Sequence, residues 1–333
     1  MDKTLLIGNG LNRTLKSSIS WEDLLDDIAN EYGVEHIDNL PMPLEFERIV
    51  NTILRKSSNP SSQIYNDIKK KIANKVQDKK LPANAIQHEL CAIPVNAIIT
   101  TNYDYLLENA YNQDFSYKDA KDKSNSSLKY LWDPTSVQQG TKFYHMHGAA
   151  SSSASICLGY EHYMGIIEKL RGKLNTREGN YKDEMKIKRI IMGEDEPTNC
   201  WGELFYTTNI DIIGLGLTTV ESDIWWLLTH RASIYYTNYC NMRKYMKNQI
   251  TYYDVIDDLE TSNLKDEQRQ RQTSVYKGYK QDKIEMRGDR AEMSDFPLYL
   301  NTVAGGLDCR DQTIGGFSFV VKIYALPVVE IIG

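Results

Sequence analysis

No CxxC pair occurs in this sequence, and its five cysteines, Cys91, Cys157, Cys200, Cys240 and Cys309, are odd in number and widely scattered. That spacing supports neither a disulfide framework nor a cysteine zinc site. Long apolar runs are missing too: nothing approaches the ~18 residues of a membrane span. The opening Met1-Asp2-Lys3-Thr4 leads into no apolar core of signal-peptide length. These absences predict a cytoplasmic protein with no membrane contact. Basic charge is also short. The net charge of −6 argues against broad nucleic-acid binding, which needs a basic footprint, so no direct nucleic-acid contact is expected. Phenylalanine is scarce, seven against twenty-two tyrosines, a compositional habit that carries no chemistry of its own.

What is present begins with enough chain for one large domain or two of average size, 333 residues. Thr4-Leu5-Leu6-Ile7 is a short apolar strand running straight into Gly8-Asn9-Gly10-Leu11-Asn12-Arg13. Glycines two apart let the backbone turn sharply and bring free N–H groups up to a phosphate. The third glycine of the full dinucleotide fingerprint is missing, as is an acidic residue ending a second strand ~20 residues later. An ordinary NAD(H) dehydrogenase is therefore disfavoured. Ser20-Trp21-Glu22-Asp23 caps a helix whose apolar face is Leu24, Leu25, Ile28 and Ala29. From about 39 to 94 the pattern is helical, with stripes at Phe46, Ile49, Val50, Ile53 and Leu54 and at Ile64, Ile68 and Ile72. The breaks are Ser57 to Ser62 and Leu81-Pro82. The run Lys69-Lys70-Lys71 through Lys79-Lys80 reads as a solvated helix face.

Val95 to Ile99 is a β-branched run ending in Thr100-Thr101-Asn102-Tyr103-Asp104, with an amphipathic segment, Tyr105 to Tyr111, starting at once. The pattern predicts a buried strand, a polar loop and a helix capped by Asp104. Residues 112–140 are polar and loop-like. Lys142 to Gly148 alternates as a strand ending in His147-Gly148, which puts His147 at a carboxyl end, facing open space. His145 shares its strand face, but no neighbouring carboxylate or cysteine in sequence completes a metal site, so no metal is expected. Residues 168–196 are charged enough for a surface excursion. Asn209 to Leu217 repeats the strand-to-glycine pattern at Gly214-Leu215-Gly216, followed by a helix with Glu221 and Asp223 in its first turn. Further strands are predicted at Ser233–Thr237 and Ile250–Ile256. Strands tipped by glycine or small polar residues, alternating with helices, predict an α/β fold with a Rossmann-like, doubly wound parallel sheet, an inserted helical small domain and no zinc module. Residues 1–258 form that unit; 259–333, charged to 293 and β-prone afterwards, have no assigned role beyond a possible oligomer or partner contact.

Four pieces, Gly8-Asn9-Gly10, Thr100 to Asp104, His147-Gly148, and Gly214-Leu215-Gly216 with Glu221 and Asp223, resemble in order and spacing the sirtuin-like domain of prokaryotic antiviral defence proteins. That group includes the Thoeris effector and the sirtuin-like partners of HerA-type ATPases and short Argonautes. The resemblance implies an NAD⁺-binding domain that hydrolyses NAD⁺ as its substrate, with Asn102 and His147 as the catalytic pair and Asp104 contacting the nicotinamide side. It implies binding of the dinucleotide by Gly8, Asn9, Gly10, Asn12, Thr101, Gly214, Leu215, Gly216 and Glu221, with Gly8 and Gly10 against the phosphates and Gly214 and Gly216 against the adenosine half. Thr101 stands where deacylating sirtuins carry glutamine, and their four-cysteine zinc module is missing. A protein deacylase and a non-catalytic NAD⁺ or ADP-ribose sensor stay open as alternatives. Homo-oligomerisation or a partner such as a HerA-type ATPase is expected, since a toxic NADase must be held off until triggered.

Overall fold

A computed structural model describes residues 2–15, 20–35, 37, 40–61, 63–78, 82–113, 115, 129–175, 186–218, 220–236, 239–256, 308–314 and 317–326. Five parallel strands form its centre: β1 (Lys3–Ile7), β2 (Ala97–Thr100), β4 (Thr141–His145), β5 (Asn209–Ile213) and β6 (Ile250–Ile256). β3 (Ser136–Gln138) pairs antiparallel on β4 at one edge. At the other edge β8 (Phe317–Leu326) pairs antiparallel on β6, and β7 (Asp308–Ile314) on β8. The spatial order is β3-β4-β2-β1-β5-β6-β8-β7. From β1 the chain builds outward to β2 and β4 on one side, then returns to lay β5 and β6 on the other. The reversal falls between β1 and β5, where open α/β sheets leave a crevice at their carboxyl ends.

The alternation of side chains in the central strands explains the two-sided burial. Leu6, Ile99, Tyr144 and Ile212 point to one face, covered by α6 (Tyr160–Leu174), α7 (Lys186–Met192), α8 (Trp201–Thr207) and α9 (Ser222–Tyr236). Leu5, Ile7, Ile98 and Phe143 point to the other, covered by α4 (Ala85–Cys91) and α5 (Leu106–Tyr111). A second core lies among α1 (Trp21–Glu31), α2 (Met42–Lys56) and α3 (Gln63–Asp78), all inserted between β1 and β2, and it packs on Ala150, Ile156 and Leu158. α1 starts where the sequence says, on a capping box between Ser20 and Asp23, and buries Leu24, Leu25, Ile28 and Ala29. A cap of this kind contributes about 1 kcal/mol, and each large buried apolar side chain about 1.5–3 kcal/mol.

Several elements depart from the sequence pattern. Ser233 to Tyr236 is the last turn of α9 rather than a strand, because Ala232 and Ile234 continue the buried face begun by Ile224, Leu227 and Leu228; Thr237 lies outside the described residues. β3 forms within the polar 112–140 stretch, only three residues long and so without a legible period. The charged 168–196 segment is no mere surface excursion. Leu170 and Leu174 of α6 and Ile187 and Ile190 of α7 are buried against the sheet. Residues 259–293 lie outside the described ones.

Lys69 departs most. The next residue on α3, Lys70, is exposed, but the Lys69 side chain is 2% exposed. Its ammonium donates to the Ala154 carbonyl at 2.8 Å and lies 3.0 Å from Nδ1 of His162. Burial pushes the Lys69 pKa down to about 8, and burial plus the Lys69 charge push His162 down to about 2. A lysine whose folded pKa is lowered holds fewer protons folded than unfolded between its folded value, about 8, and its ordinary value, 10.5, so stability rises with pH there. Wild type is therefore expected to gain on Lys69→Met as pH climbs through about 8, with no further gain once the unfolded lysine has also titrated. Urea unfolding of both proteins across that range checks it.

Candidate active site

The register of the parallel strands sets the site. Ile7 pairs with Thr100 and with Ile213, and Thr100 pairs with His145. Asn9, Asn102, His147 and Leu215 each stand two residues beyond those paired positions, so four consecutive strand tips carry them at one level, with neighbouring strands ~4.8 Å apart. Main-chain hydrogen bonds lace the tips together. Thr101 N–H and Thr100 Oγ1 donate to the Ile7 carbonyl, Met146 N–H to the Thr100 carbonyl and Ala150 N–H to the Tyr103 carbonyl. The turn after His147 admits only glycine: Gly148 has φ +92°, and a Cβ there would overlap the Ser155 carbonyl.

The glycines at the tips of β1 and β5 serve a different need from the one their sequence suggested. The amides of Gly8 and Gly10 are not free; they donate to the carbonyls of Ile213 at 3.0 Å and Gly214 at 2.8 Å. A Cβ on Gly8 would lie 2.7 Å from Leu215 Cα, and one on Gly10 2.7 Å from the Gly214 oxygen. Both are glycine because two backbones press together there. Gly214, at φ +66°, completes the contact, whereas a Cβ on Gly216 would meet nothing nearer than a Thr218 methyl at 3.4 Å. Open space is at Gly216. Leu217 beside it holds φ +46° without being glycine, a conformation that costs about 1–2 kcal/mol. The Asn9 carbonyl accepts from the amides of Asn12 and Arg13, opening a single 3₁₀ turn.

Asn102 is 6% exposed, and its side-chain oxygen is buried with no hydrogen-bond partner among the described residues. An orphan acceptor of this kind costs about 1–3 kcal/mol and marks a place where a ligand donor fits. Asp104 differs from its expected role. The residue at the start of α5 is Tyr105, and Asp104 lies one further back, accepting from Leu106 N–H at 3.0 Å. Its other oxygen accepts from Asn12 Nδ2 at 2.7 Å, and Asn12 Oδ1 accepts from Gln87 Nε2 at 2.8 Å. Burial raises the Asp104 pKa, opposed by these donors and by His145. Asn12 is thus a buried bridge between α4 and the asparagine loop.

His147 is 4% exposed, with its ring edge on Tyr163. Its Nε2 lies 2.9 Å from Oδ2 of Asp223, which is fully buried in the first turn of α9. Beside that pair, Glu221 accepts from the Thr218 hydroxyl at 2.7 Å, and burial raises its pKa. Each histidine has its own carboxylate, since His145 Nε2 lies 3.0 Å from Glu108 Oε1. The sequence hid both pairs, because the partners stand 76 and 37 residues away. An acidic residue in the turn after a glycine loop was the only signal for Asp223, and none pointed to Glu108 or Gln87. Among the described residues no cluster of three histidine, cysteine or acidic side chains could hold a metal.

A family described as "SIR2-like domain" matches residues 96–182, the span that carries β2, Asn102, Asp104, β4 and His147. That span of the chain is similar to the SIR2-like family. Among proteins similar to it is the NAD(+) hydrolase ThsA of Enterococcus faecium, 24% identical over 294 residues, 87% of this chain and 53% of that protein. The chain therefore spans about half the length of the curated relative it matches. No helix among the described residues is long and apolar enough to cross a membrane.

Proposed function

We propose that this protein is an NAD⁺ hydrolase that cleaves the nicotinamide–ribose bond to give nicotinamide and ADP-ribose. The observation that carries the proposal is the pairing, on adjacent strand tips, of the unpartnered Asn102 amide oxygen with the buried His147–Asp223 dyad. The bond to be broken calls for little acid catalysis. Its electron pair leaves with nicotinamide and neutralises the ring nitrogen, and an oxocarbenium-like ribose develops as in glycoside hydrolysis. Water then supplies the oxygen that bonds to the sugar carbon, and its proton must go to a base. With Nε2–H donated to the Asp223 carboxylate, the imidazole lone pair stands on Nδ1, and Asp223 stabilises the imidazolium that forms. Asn102 Oδ1 accepts from the water or from a ribose hydroxyl and holds it in line without adding charge. Asp104 contacts the nicotinamide side. Gly8, Asn9, Gly10, Asn12, Thr101, Gly214, Leu215, Gly216 and Glu221 line the rest of the dinucleotide, with closest approach at Gly216, where space is open. The NAD⁺ hydrolase name of the similar E. faecium protein supports the same reading. In a cytoplasmic homo-oligomer, or with a partner such as a HerA-type ATPase, such an activity would deplete NAD⁺ in antiphage defence.

Incubation with NAD⁺ and an acetyl-lysine peptide, followed by chromatography of the products, tests the proposal. Nicotinamide and ADP-ribose are expected in equal amounts with the peptide untouched. Accumulation of O-acetyl-ADP-ribose would make the protein a deacylase. Tight NAD⁺ binding without turnover, even with a partner and trigger present, would make it a sensor.

A further inference from the structure

His145 lies at the end of β4 with no exposure, and both of its ring nitrogens are engaged. Nδ1 is 2.7 Å from the main-chain carbonyl oxygen of Asn102, and Nε2 is 3.0 Å from Oε1 of Glu108. A carbonyl can only accept, so Nδ1 carries a proton; Nε2 faces a carboxyl group. Glu108, on α5, is fully buried, and its second oxygen has no hydrogen-bond partner among the described residues. An acid in that position therefore spends its one contact on the ring. Around His145 stand Glu108 from α5, Asp104 from the loop before it, the edge of the Tyr105 ring at 4.8 Å, and, within the field of Glu108, Cys91 of α4. We infer that His145, clamped between Glu108 and the Asn102 carbonyl, is a positioning residue that fixes the Asn102 main chain and so aims its side chain at the reacting ribose. The inference rests on the NAD⁺ hydrolase reading only for the identity of that ribose.

The electrostatics agree with the geometry. Burial disfavours a charged ring, but the charge and hydrogen bond of Glu108 outweigh it, with the Asn102 carbonyl and Asp104 adding to the effect, so the His145 pKa is raised. A charged donor holds a carbonyl more strongly than a neutral one. Once the ring loses its second proton, one proton serves two acceptors, and in the Nε2–H tautomer the Asn102 carbonyl faces a lone pair. Sign and window follow from the raised value. The clamp is complete below the ordinary histidine range and is lost as pH rises through the higher, folded value.

His145→Asn keeps an amide N–H near the Nδ1 position and cannot titrate; His145→Ala keeps neither. Nicotinamide release by wild type and both variants is measured from about pH 6 to about pH 9, alongside melting curves. In His145→Ala, kcat is expected to fall at least ~10-fold with KM moving less than ~3-fold. His145→Asn is expected to recover to within about 3-fold of wild type and to lose the alkaline fall in rate that wild type shows. A folded His145→Ala with wild-type kcat and pH profile would overturn the inference, as would a His145→Asn no better than His145→Ala. Ring titration of wild type by ¹⁵N NMR reads the clamp whether or not NAD⁺ is turned over. A His145 pKa at or below the ordinary value sinks it, and a raised pKa lost in Glu108→Gln supports it even if the hydrolase reading fails.

Discussion

In His147→Ala, kcat for nicotinamide release is expected to fall by about 10²–10⁴-fold, with KM for NAD⁺ close to wild type and a lower melting temperature, because the buried Asp223 loses its partner. The ring is buried against Tyr163 and bonded to Asp223, but it stands beyond the last paired residue of β4, so the sheet is expected to stay folded without it. Asp223→Asn separates orientation from basicity. An asparagine amide facing Nε2 donates where the carboxylate accepted, so the proton moves to Nδ1 and the lone pair is lost from the side proposed to act. A loss of about 10²-fold or more is expected at unchanged KM. Asn102→Ala is expected to be as inactive as His147→Ala, and the double variant no worse than either, since residues of one catalytic unit are not additive. Full activity in His147→Ala or Asn102→Ala would remove the site from the reaction altogether. Product quantification with each variant, beside circular dichroism to show retained fold, decides it.

Gly8→Ala is expected to destabilise by at least ~2 kcal/mol. Its methyl would overlap the Gly214 carbonyl and lie 2.7 Å from Leu215 Cα, all backbone atoms that cannot rotate away. Opening the contact would also stretch the hydrogen bonds from Gly8 and Gly10 to the β5 tip. Gly216→Ala gives the contrast. With its nearest neighbour a methyl at 3.4 Å, stability should hold within about 0.5 kcal/mol, while KM for NAD⁺ rises if the dinucleotide approaches there. Denaturant unfolding and steady-state kinetics on the two variants separate a glycine needed by the fold from one needed by the ligand. Equal stability for Gly8→Ala and wild type would refute the close packing of the two tips.

How far the sequence could be read depended on whether the signal was local. β1, β2, β4 and β5 were legible because each ends a short β-branched or alternating run in glycine or small polar residues, and a parallel sheet turns those ends to the same side. The helices α1 to α3 were legible from their periods. Lys69 was misread because its neighbours are ordinary surface lysines and its acceptor, the Ala154 carbonyl, lies on another element. The end of α9 was misread because Ile234, Tyr235 and Tyr236 favour strands in isolation, and only packing keeps them helical. At the candidate site, the placement of Asn102 and His147 on adjacent strand tips could be read from strand ends. The carboxylate partners of the two histidines could not, because Asp223 reaches His147 and Glu108 reaches His145 from separate helices. The glycine turn showed the converse, a local signal with more than one physical meaning: two adjacent backbones demand glycine as strongly as a phosphate does.

The strand tips have one further consequence. Asn102, His147 and Leu215 all stand past the last paired position of their strands, so the strand pairing that holds the sheet together ends before the groups proposed to act begin. Inheritance of the architecture and inheritance of the chemistry are then separable. Under the roles proposed for Asn102 and His147, a single codon change at either would leave a descendant with the same shape and the same crevice but no turnover. Duplicated copies of such a chain are therefore one substitution away from becoming reporters of nucleotide level, and the residues at these two positions tell the two kinds apart.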